Sequence, residues 1–288
     1  MSTEMETLVH AIESLQQEAN PFKDYIFPIV AAFFTSLLGA GVAFFTLKYQ
    51  EKTQIEKDKM DAVNKWTLIA EEAQSSLIAL KNNYVGRLTD DPIHRVLQVP
   101  SIVHNTVEIN EDVVNLAFLI PSLTDIVGQD IKWRKLTLIR AMIKNYNFLI
   151  GLWNKRNDFE RPLRLKLKAD YPHLNTTGIS MADIVDSIGE IALHELIDLT
   201  ERCIIYTDDI LVELNDFLIN FPVQAKPLIK TDKLKHYGKI ITFSENQAPA
   251  FLRAIEKVPE VNYDSLAAIY GEDAERLRQE YSTGYCEQ

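Results

Sequence analysis

The sequence lacks the residues from which most catalytic, metal and disulfide-stabilised sites are built. It has two cysteines in 288 residues, Cys203 and Cys286, and they do not suggest a disulfide framework. No P-loop, dinucleotide glycine motif, G-x-S-x-G elbow or H-E-x-x-H helix occurs. Glu190, His194 and Asp198 follow one another at four-residue steps, but a zinc site needs ligands that converge. The sequence therefore predicts no enzyme, no cofactor and no metal site.

One stretch lacks charge altogether. Residues 25–47 read YIFPIVAAFFTSLLGAGVAFFTL, twenty-three residues without an acid or a base. A helix of this length is roughly 35 Å long, which is enough to cross the hydrocarbon core of a bilayer with some tilt. The run is longer, and its N-terminal flank more acidic, than in a signal peptide. It therefore predicts a retained transmembrane helix.

The flanks of this segment differ in charge. The preceding 24 residues hold five acids and only one basic residue, Lys23. Five lysines follow the segment within eighteen residues, namely Lys48, Lys52, Lys57, Lys59 and Lys65. Because Lys and Arg accumulate on the cytoplasmic side of a span, we expect a single-pass protein of the inner (plasma) membrane. Its acidic N-terminus should lie outside and its C-terminal part in the cytoplasm.

A helical projection separates two faces of the predicted span. One face carries small or weakly polar side chains, and the opposite face carries mainly bulky apolar side chains that suit lipid, although Gly41 interrupts the bulky face. Because small residues allow helices to approach closely, the small face predicts homo-oligomerisation and the bulky face predicts contact with lipid. A sharper hypothesis is a pore lined by the small face, and a simple anchor is the plain alternative. The small face consists of Pro28, Ala32, Thr35, Ser36, Gly39, Ala43 and Thr46.

The remaining sequence is typical of a mainly helical protein. Apolar spacing predicts that the membrane helix continues through 48–83, followed by a loop at 86–104. Further helices are predicted near 106–120, 130–157, 180–220, 248–257 and 264–281, with a capping box starting at Ser180. The predicted domains are an extracytoplasmic N-terminus (1–24), the span (25–47), a cytoplasmic helical bundle (48–222) and a helical C-terminal extension (223–288).

Two short segments have the period-two pattern or β-branched content of strands. Residues 163–168 alternate leucine with basic residues, and residues 239–243 read KIITF. These patterns predict a small two-stranded β element beside the bundle.

Charge is segregated along a chain of net charge −11. Residues 131–168 hold eleven bases and two acids, whereas residues 180–220 hold ten acids and one base. One interpretation is that the basic and acidic helices pair with each other. The other is a site for a nucleotide, an oligonucleotide or another polyanion. The candidate residues of that site are Arg161, Arg164, Lys166, Lys168, Lys233, Lys235 and Lys239.

These features favour a membrane effector over an enzyme. The copies would assemble through the span, and the cytoplasmic part would sense a signal and perturb the membrane as a pore or channel. In architecture this resembles small bacterial membrane effectors of antiphage defence, which couple one or two spans to a soluble sensor. The alternative is a membrane-anchored scaffold or adaptor whose helical domain binds a protein partner.

Overall fold

A computed structural model of the chain describes residues 2–15, 22–104, 106, 108–122, 131–172, 179–244 and 248–282. These residues are mainly helical, and none of them forms a strand. The chain divides into two compact units, Met1–Glu56 and Lys57–Gln288. The prediction of a mainly α protein with one long apolar N-terminal helix is therefore confirmed.

The N-terminal unit contains helix α1 (Ser2–Leu15), a π-helical turn (Phe22–Ile26) and the first part of helix α2 (Phe27–Lys81). Helix α2 continues without interruption into the second unit. No glycine or proline occurs between Thr46 and Val85 to break it.

The second unit contains the rest of α2 and seven further α-helices among the described residues. These are α3 (Pro92–Gln98), α4 (Leu136–Asp170), α5 (Met181–Ile188), α6 (Glu190–Ala225), α7 (Pro249–Ile255), α8 (Tyr263–Tyr270) and α9 (Ala274–Tyr281). Short 3-10 helices occur at Val113–Leu119, Lys132–Arg134, Lys226–Leu228 and Thr231–Leu234.

The larger hydrophobic core lies among α4, α6 and the C-terminal part of α2. Trp66, Trp133 and Trp153 are fully buried in it, and each indole N–H donates a hydrogen bond. The acceptors are Asn115 Oδ1, Asp216 Oδ2 and Thr207 Oγ1, at 2.9, 3.0 and 3.0 Å. Burying a large ring while satisfying its polar atom stabilises the fold and fixes how the helices pack.

A second hydrophobic cluster lies where α3, α5, α8 and α9 meet the N-terminal part of α6. Its buried members are Val96, Ile184, Leu193, Leu196, Ile197, Val261, Leu266, Leu277 and Tyr281. This cluster attaches the predicted C-terminal extension to the bundle. Both segments consequently lie within the unit Lys57–Gln288.

The predicted two-stranded β element is wrong. Residues 163–168 lie inside α4, where Leu163 and Leu167 pack against the second cluster and Leu165 is exposed. Leu163 and Leu167 are four residues apart and therefore lie on one side of a helix, just as alternate residues lie on one face of a strand. Residues 239–243 form no strand, and Asn64 of α2 forms hydrogen bonds with two of their backbone groups. It donates to Lys239 O at 3.0 Å and accepts from Ile241 N at 2.8 Å.

Several predicted helix boundaries also differ. The predicted loop 86–104 contains α3, which Asp91 caps by accepting a hydrogen bond from His94 N at 2.6 Å. Only the 3-10 helix Val113–Leu119 occupies the described part of predicted helix 106–120. The predicted helix 180–220 is two helices separated at Gly189, whose φ is +86°. The capping box at Ser180 is confirmed, since Ser180 and Asp183 bond reciprocally.

Candidate functional site

The apolar segment of α2 is exposed along its whole length. Of residues 22–47, all are exposed except Ala31 and Gly41, which are half-buried. The bulky side chains Phe33, Leu38 and Phe45 are 63%, 68% and 71% exposed. Continuous exposed apolar surfaces of this size are typical of sites that contact a membrane or another protein. One helix of the described chain is thus long and apolar enough to cross a membrane.

The predicted small face lies on this exposed helix. All seven of its residues, Pro28, Ala32, Thr35, Ser36, Gly39, Ala43 and Thr46, are exposed. Thr35 Oγ1 donates to Ala31 O at 2.7 Å, so its hydrogen is used within the helix. A Cβ atom added at Gly39 would have no described atom within 4 Å, and the same is true at Gly41. The face is therefore open to another molecule.

The first group of predicted basic residues lies near the end of α4. Arg161, Lys166 and Lys168 are exposed, and no described residue forms an ion pair with them. Arg164 differs, since its guanidinium pairs with the buried Glu160 one helical turn earlier. It also donates to Val99 O at 3.1 Å and so holds the end of α3. Arg164 therefore has a structural role in this conformation.

The second group of predicted basic residues packs elsewhere. Lys233, Lys235 and Lys239 belong to a segment whose Leu234 and Ile240 pack on the larger core. The leucines beside the first group belong to the second cluster. A polyanion site shared by both groups stays a prediction.

Internal pairing of the basic and acidic helices occurs at two points. Helices α4 and α6 pack along each other, and Lys155 of α4 pairs with Glu195 of α6 at 3.5 Å. Lys132, in the 3-10 turn before α4, pairs with Asp216 at 2.7 Å. All four side chains are partly exposed, so each pair contributes little stability on its own.

Two deeply buried ion pairs were not predicted from the sequence. Lys81 at the end of α2 pairs with Asp208 of α6 at 2.7 Å. Arg95 of α3 pairs with Glu201 of α6 at 2.8 Å, and all four side chains are at most 5% exposed. Burial raises the pKa of both carboxyl groups, and the adjacent cations partly oppose that increase.

These charges bind the irregular segment between α7 and α8. Lys81 Nζ donates to Glu256 O at 2.5 Å, Val258 N donates to Asp208 Oδ2 at 2.7 Å, and Arg95 Nη1 donates to Pro259 O at 2.7 Å. We call residues 256–259 the strap. The side chain of Lys257 in the strap also pairs with Asp209 at 2.7 Å. The buried charges thus satisfy backbone groups that no helix or strand could pair.

Two cavities adjoin these contacts. A polar cavity of about 250 Å³ lies beside the strap, and its lining includes Arg95, Asp208, Asp209, Lys257 and Arg278. An apolar cavity of about 100 Å³ lies among α3, α4, α5 and α6, with Arg164 and Lys168 in its lining. The apolar cavity has few polar groups in its lining, as small-molecule sites generally do, whereas the cavity beside the strap is lined by several charged side chains.

Glu190, His194 and Asp198, which follow one another at four-residue steps, do not form one site. Glu190 Oε1 and His194 Nε2 lie 4.0 Å apart, while Asp198 pairs with Arg202 and accepts a hydrogen bond from Tyr281. Burial raises the pKa of the Cys203 thiol, which disfavours the nucleophilic thiolate. No group of three or more His, Cys, Asp or Glu in the described chain could hold a metal ion.

No model of a known protein family, no curated protein and no solved structure matches this chain.

Proposed function

We propose that the protein is a single-span membrane effector that self-associates through the small face of α2. On a signal sensed by its helical soluble unit, Lys57–Gln288, it perturbs the membrane as a pore or channel. The observation that carries this proposal is the continuous exposure of the apolar part of α2. A surface of this kind requires lipid, other spans, or both.

The amino-acid composition of the two faces supports self-association. Phenylalanine and leucine on one side suit lipid chains, and Gly39 and Ser36 on the other permit close approach of a second helix. Thr35, Ser36 and Thr46 would be the polar side chains of a narrow pore. Bacterial antiphage defence is the setting that the architecture suggests, with a single span joined to a soluble sensor.

The soluble unit supplies two candidate sensing sites. The signal would be a nucleotide or another anion that contacts Lys168 at the apolar cavity, or Lys257 and Arg278 at the polar one. Lys168 is the better starting point, because no described residue forms an ion pair with it.

The two glycines of the span provide a matched test. Gly39 lies on the small face and Gly41, two residues later, projects about 200° away on the bulky face. Because neither position has a described atom near a Cβ, leucine at either fits the isolated helix. Any difference between the variants must come from another molecule.

We expect Gly39→Leu to abolish the depolarisation that follows induced expression, measured with a membrane-potential dye. Gly41→Leu should depolarise like the unmodified protein at equal membrane abundance. Disulfide crosslinking between copies carrying Ser36→Cys should fall in parallel with depolarisation. Equal depolarisation by the two glycine variants would refute a pore lined by the small face. Loss of depolarisation with crosslinking intact would separate conduction from assembly.

An anchored scaffold or adaptor is the second candidate function. It is favoured by an open cavity of about 470 Å³ at the surface beside α3, α5 and α8, whose lining includes Ile93, Leu97, Met181 and Ile269. Such an apolar surface suits side chains of a protein partner. If the unmodified protein causes no depolarisation, and Met181→Glu releases a co-purifying partner, the scaffold replaces the effector.

A further inference from the structure

Helix α1 has an apolar stripe that no described residue covers. Met5, Leu8, Val9 and Ile12 recur at the spacing that places them on one side of a helix. Their exposed fractions are 66%, 63%, 50% and 51%. The other side of the helix is polar or acidic and includes His10, Glu6 and Glu13. The helix is therefore amphipathic, and its apolar stripe is exposed.

The chain keeps this stripe close to the predicted span. Only residues 16–21 separate the end of α1 from the π-helical turn that begins at Phe22. Seven peptide steps reach at most about 25 Å. The end of α1 at Leu15 thus stays within that distance of Phe22, three residues before the apolar run begins. If α2 crosses a bilayer, the nearest apolar phase available to the stripe is the lipid surface.

We propose that α1 lies in the plane of the membrane interface, with its apolar stripe inserted at the boundary between headgroups and acyl chains. The proposal rests on the proposed function in one respect, namely that α2 spans the membrane. Helices that bind in this way have a strong apolar side, a polar side and low net hydrophobicity. Because the polar side of α1 is acidic, the helix should bind the membrane through its apolar stripe and not through charge. Zwitterionic lipid should therefore bind it better than anionic lipid.

The test labels the full chain with an environment-sensitive fluorophore at one cysteine. Cys286→Ser removes one native thiol, and Cys203 is fully buried and will not react. The labelled positions are Val9→Cys in the stripe, His10→Cys on the polar side as the matched control, and Phe34→Cys in the span. Each protein is placed in phosphatidylcholine nanodiscs with or without nitroxide groups on the lipid acyl chains.

We expect the nitroxides to quench the label at Val9 at least about twofold more than the label at His10. The label at Phe34 should be quenched strongly by the nitroxides nearest the bilayer centre. In the double variant Leu8→Gln/Ile12→Gln, quenching at Val9 should fall to the level at His10 and quenching at Phe34 should not change.

The outcomes separate the two proposals. Quenching at Phe34 with equal, weak quenching at Val9 and His10 overturns the interfacial helix and leaves the span intact. Absence of quenching at Phe34 overturns the span, and with it the reason for placing α1 at the membrane. A label at Val9 that is shielded from lipid but crosslinks to another copy assigns the stripe to an interface between chains, which also overturns the proposal.

Discussion

Individual residues decide how the strap is held, and their pairing follows from the fold rather than from local sequence. Lys81, Arg95, Glu201 and Asp208 carry no motif, and the members of each pair are more than 100 positions apart. The sequence indicated only that α6 is acidic. Each buried carboxylate requires a cation close by, since an unpaired buried charge is very costly. Such a need cannot be matched to a particular lysine before the helices are packed.

Replacing Lys81 should therefore destabilise the unit Lys57–Gln288 strongly. Lys81→Met leaves the Asp208 carboxylate buried without its cation, which costs about 3–5 kcal/mol. At about 2–4 °C per kcal/mol for a domain of this size, the melting temperature should fall by roughly 10 °C. Differential scanning calorimetry of the full chain in nanodiscs measures this change, and limited proteolysis within the strap reports whether residues 256–259 are released.

An exposed pair and a double variant control this result. Lys155→Met removes a partner of Glu195 that is largely solvated, so it should change stability by less than about 1 kcal/mol. Adding Asp208→Asn to Lys81→Met removes the stranded charge and should recover much of the loss. If Lys81→Met is no more harmful than Lys155→Met, the buried pair does not hold the strap.

Ionisation of a buried tyrosine gives a second residue-scale prediction. Burial, together with the charge of Glu72, raises the pKa of Tyr146 to about 12, against a smaller opposing hydrogen bond from Ser76. The folded state therefore resists ionisation, so this stabilisation is complete below about pH 10 and is lost as the pH rises through the folded pKa. Between pH 9 and 12, the melting temperature of Tyr146→Phe should fall less steeply with pH than that of the unmodified protein. Identical slopes would assign alkaline unfolding to other groups.

At the scale of elements, sequence patterns located most helices and missed their breaks. The uninterrupted run after Leu47 predicted the length of α2 to within a few residues. The break at Gly189 was missed because α5 and α6 both bury apolar residues, so the apolar spacing of the sequence continues across it. Helix α3 was missed although Asp91-Pro92 is a favourable start, with Asp as the cap and Pro in the first turn. The predicted strand at 163–168 was wrong because leucine at every second position also gives a four-residue repeat, which suits a helix.

The break at Gly189 should depend on glycine. Its φ of +86° and ψ of 150° lie in a region that other residues rarely adopt. Gly189→Ala meets no described atom near its Cβ, so its cost is confined to the backbone and should be about 1–3 kcal/mol. Chemical unfolding of the full chain, followed by tryptophan fluorescence, would measure it.

Gly151 is the matched control for that substitution. It lies exposed within α4, and a Cβ there also meets no described atom. Gly151→Ala should instead stabilise the protein by about 0.5–1 kcal/mol, because alanine is the better helix former. Opposite signs for the two substitutions would establish that the backbone at 189 sets the break. The same sign for both would remove that explanation.

At the scale of the whole molecule, the two units differ in what covers their apolar residues. The unit Lys57–Gln288 buries most of its described large apolar side chains in two clusters of its own. In the unit Met1–Glu56, the apolar side chains of α1 and α2 are exposed. Composition predicted this contrast, because an uncharged run has no polar side to turn towards water. It could not predict the amphipathic α1, whose stripe is short and lies in a segment that reads simply as acidic.

Orientation in the membrane gives the last prediction. Five lysines follow the apolar run within eighteen residues and one precedes it, so the C-terminal unit should be cytoplasmic. Green fluorescent protein fused to the C-terminus should therefore fluoresce, and alkaline phosphatase fused there should be inactive.

A charge-exchange variant reverses the excess, with four lysines before the run and three within eighteen residues after it. That variant carries Glu4→Lys, Glu6→Lys, Glu13→Lys, Lys48→Gln and Lys52→Gln. It should lose fluorescence relative to membrane-inserted protein, because the fusion is then exported. It leaves Lys57, Lys59 and Lys65 unchanged, since these contact Tyr237, Phe118 and Glu111 within the soluble unit. An active C-terminal phosphatase on the unmodified chain would place the soluble unit outside and would rule out a cytoplasmic signal as the trigger.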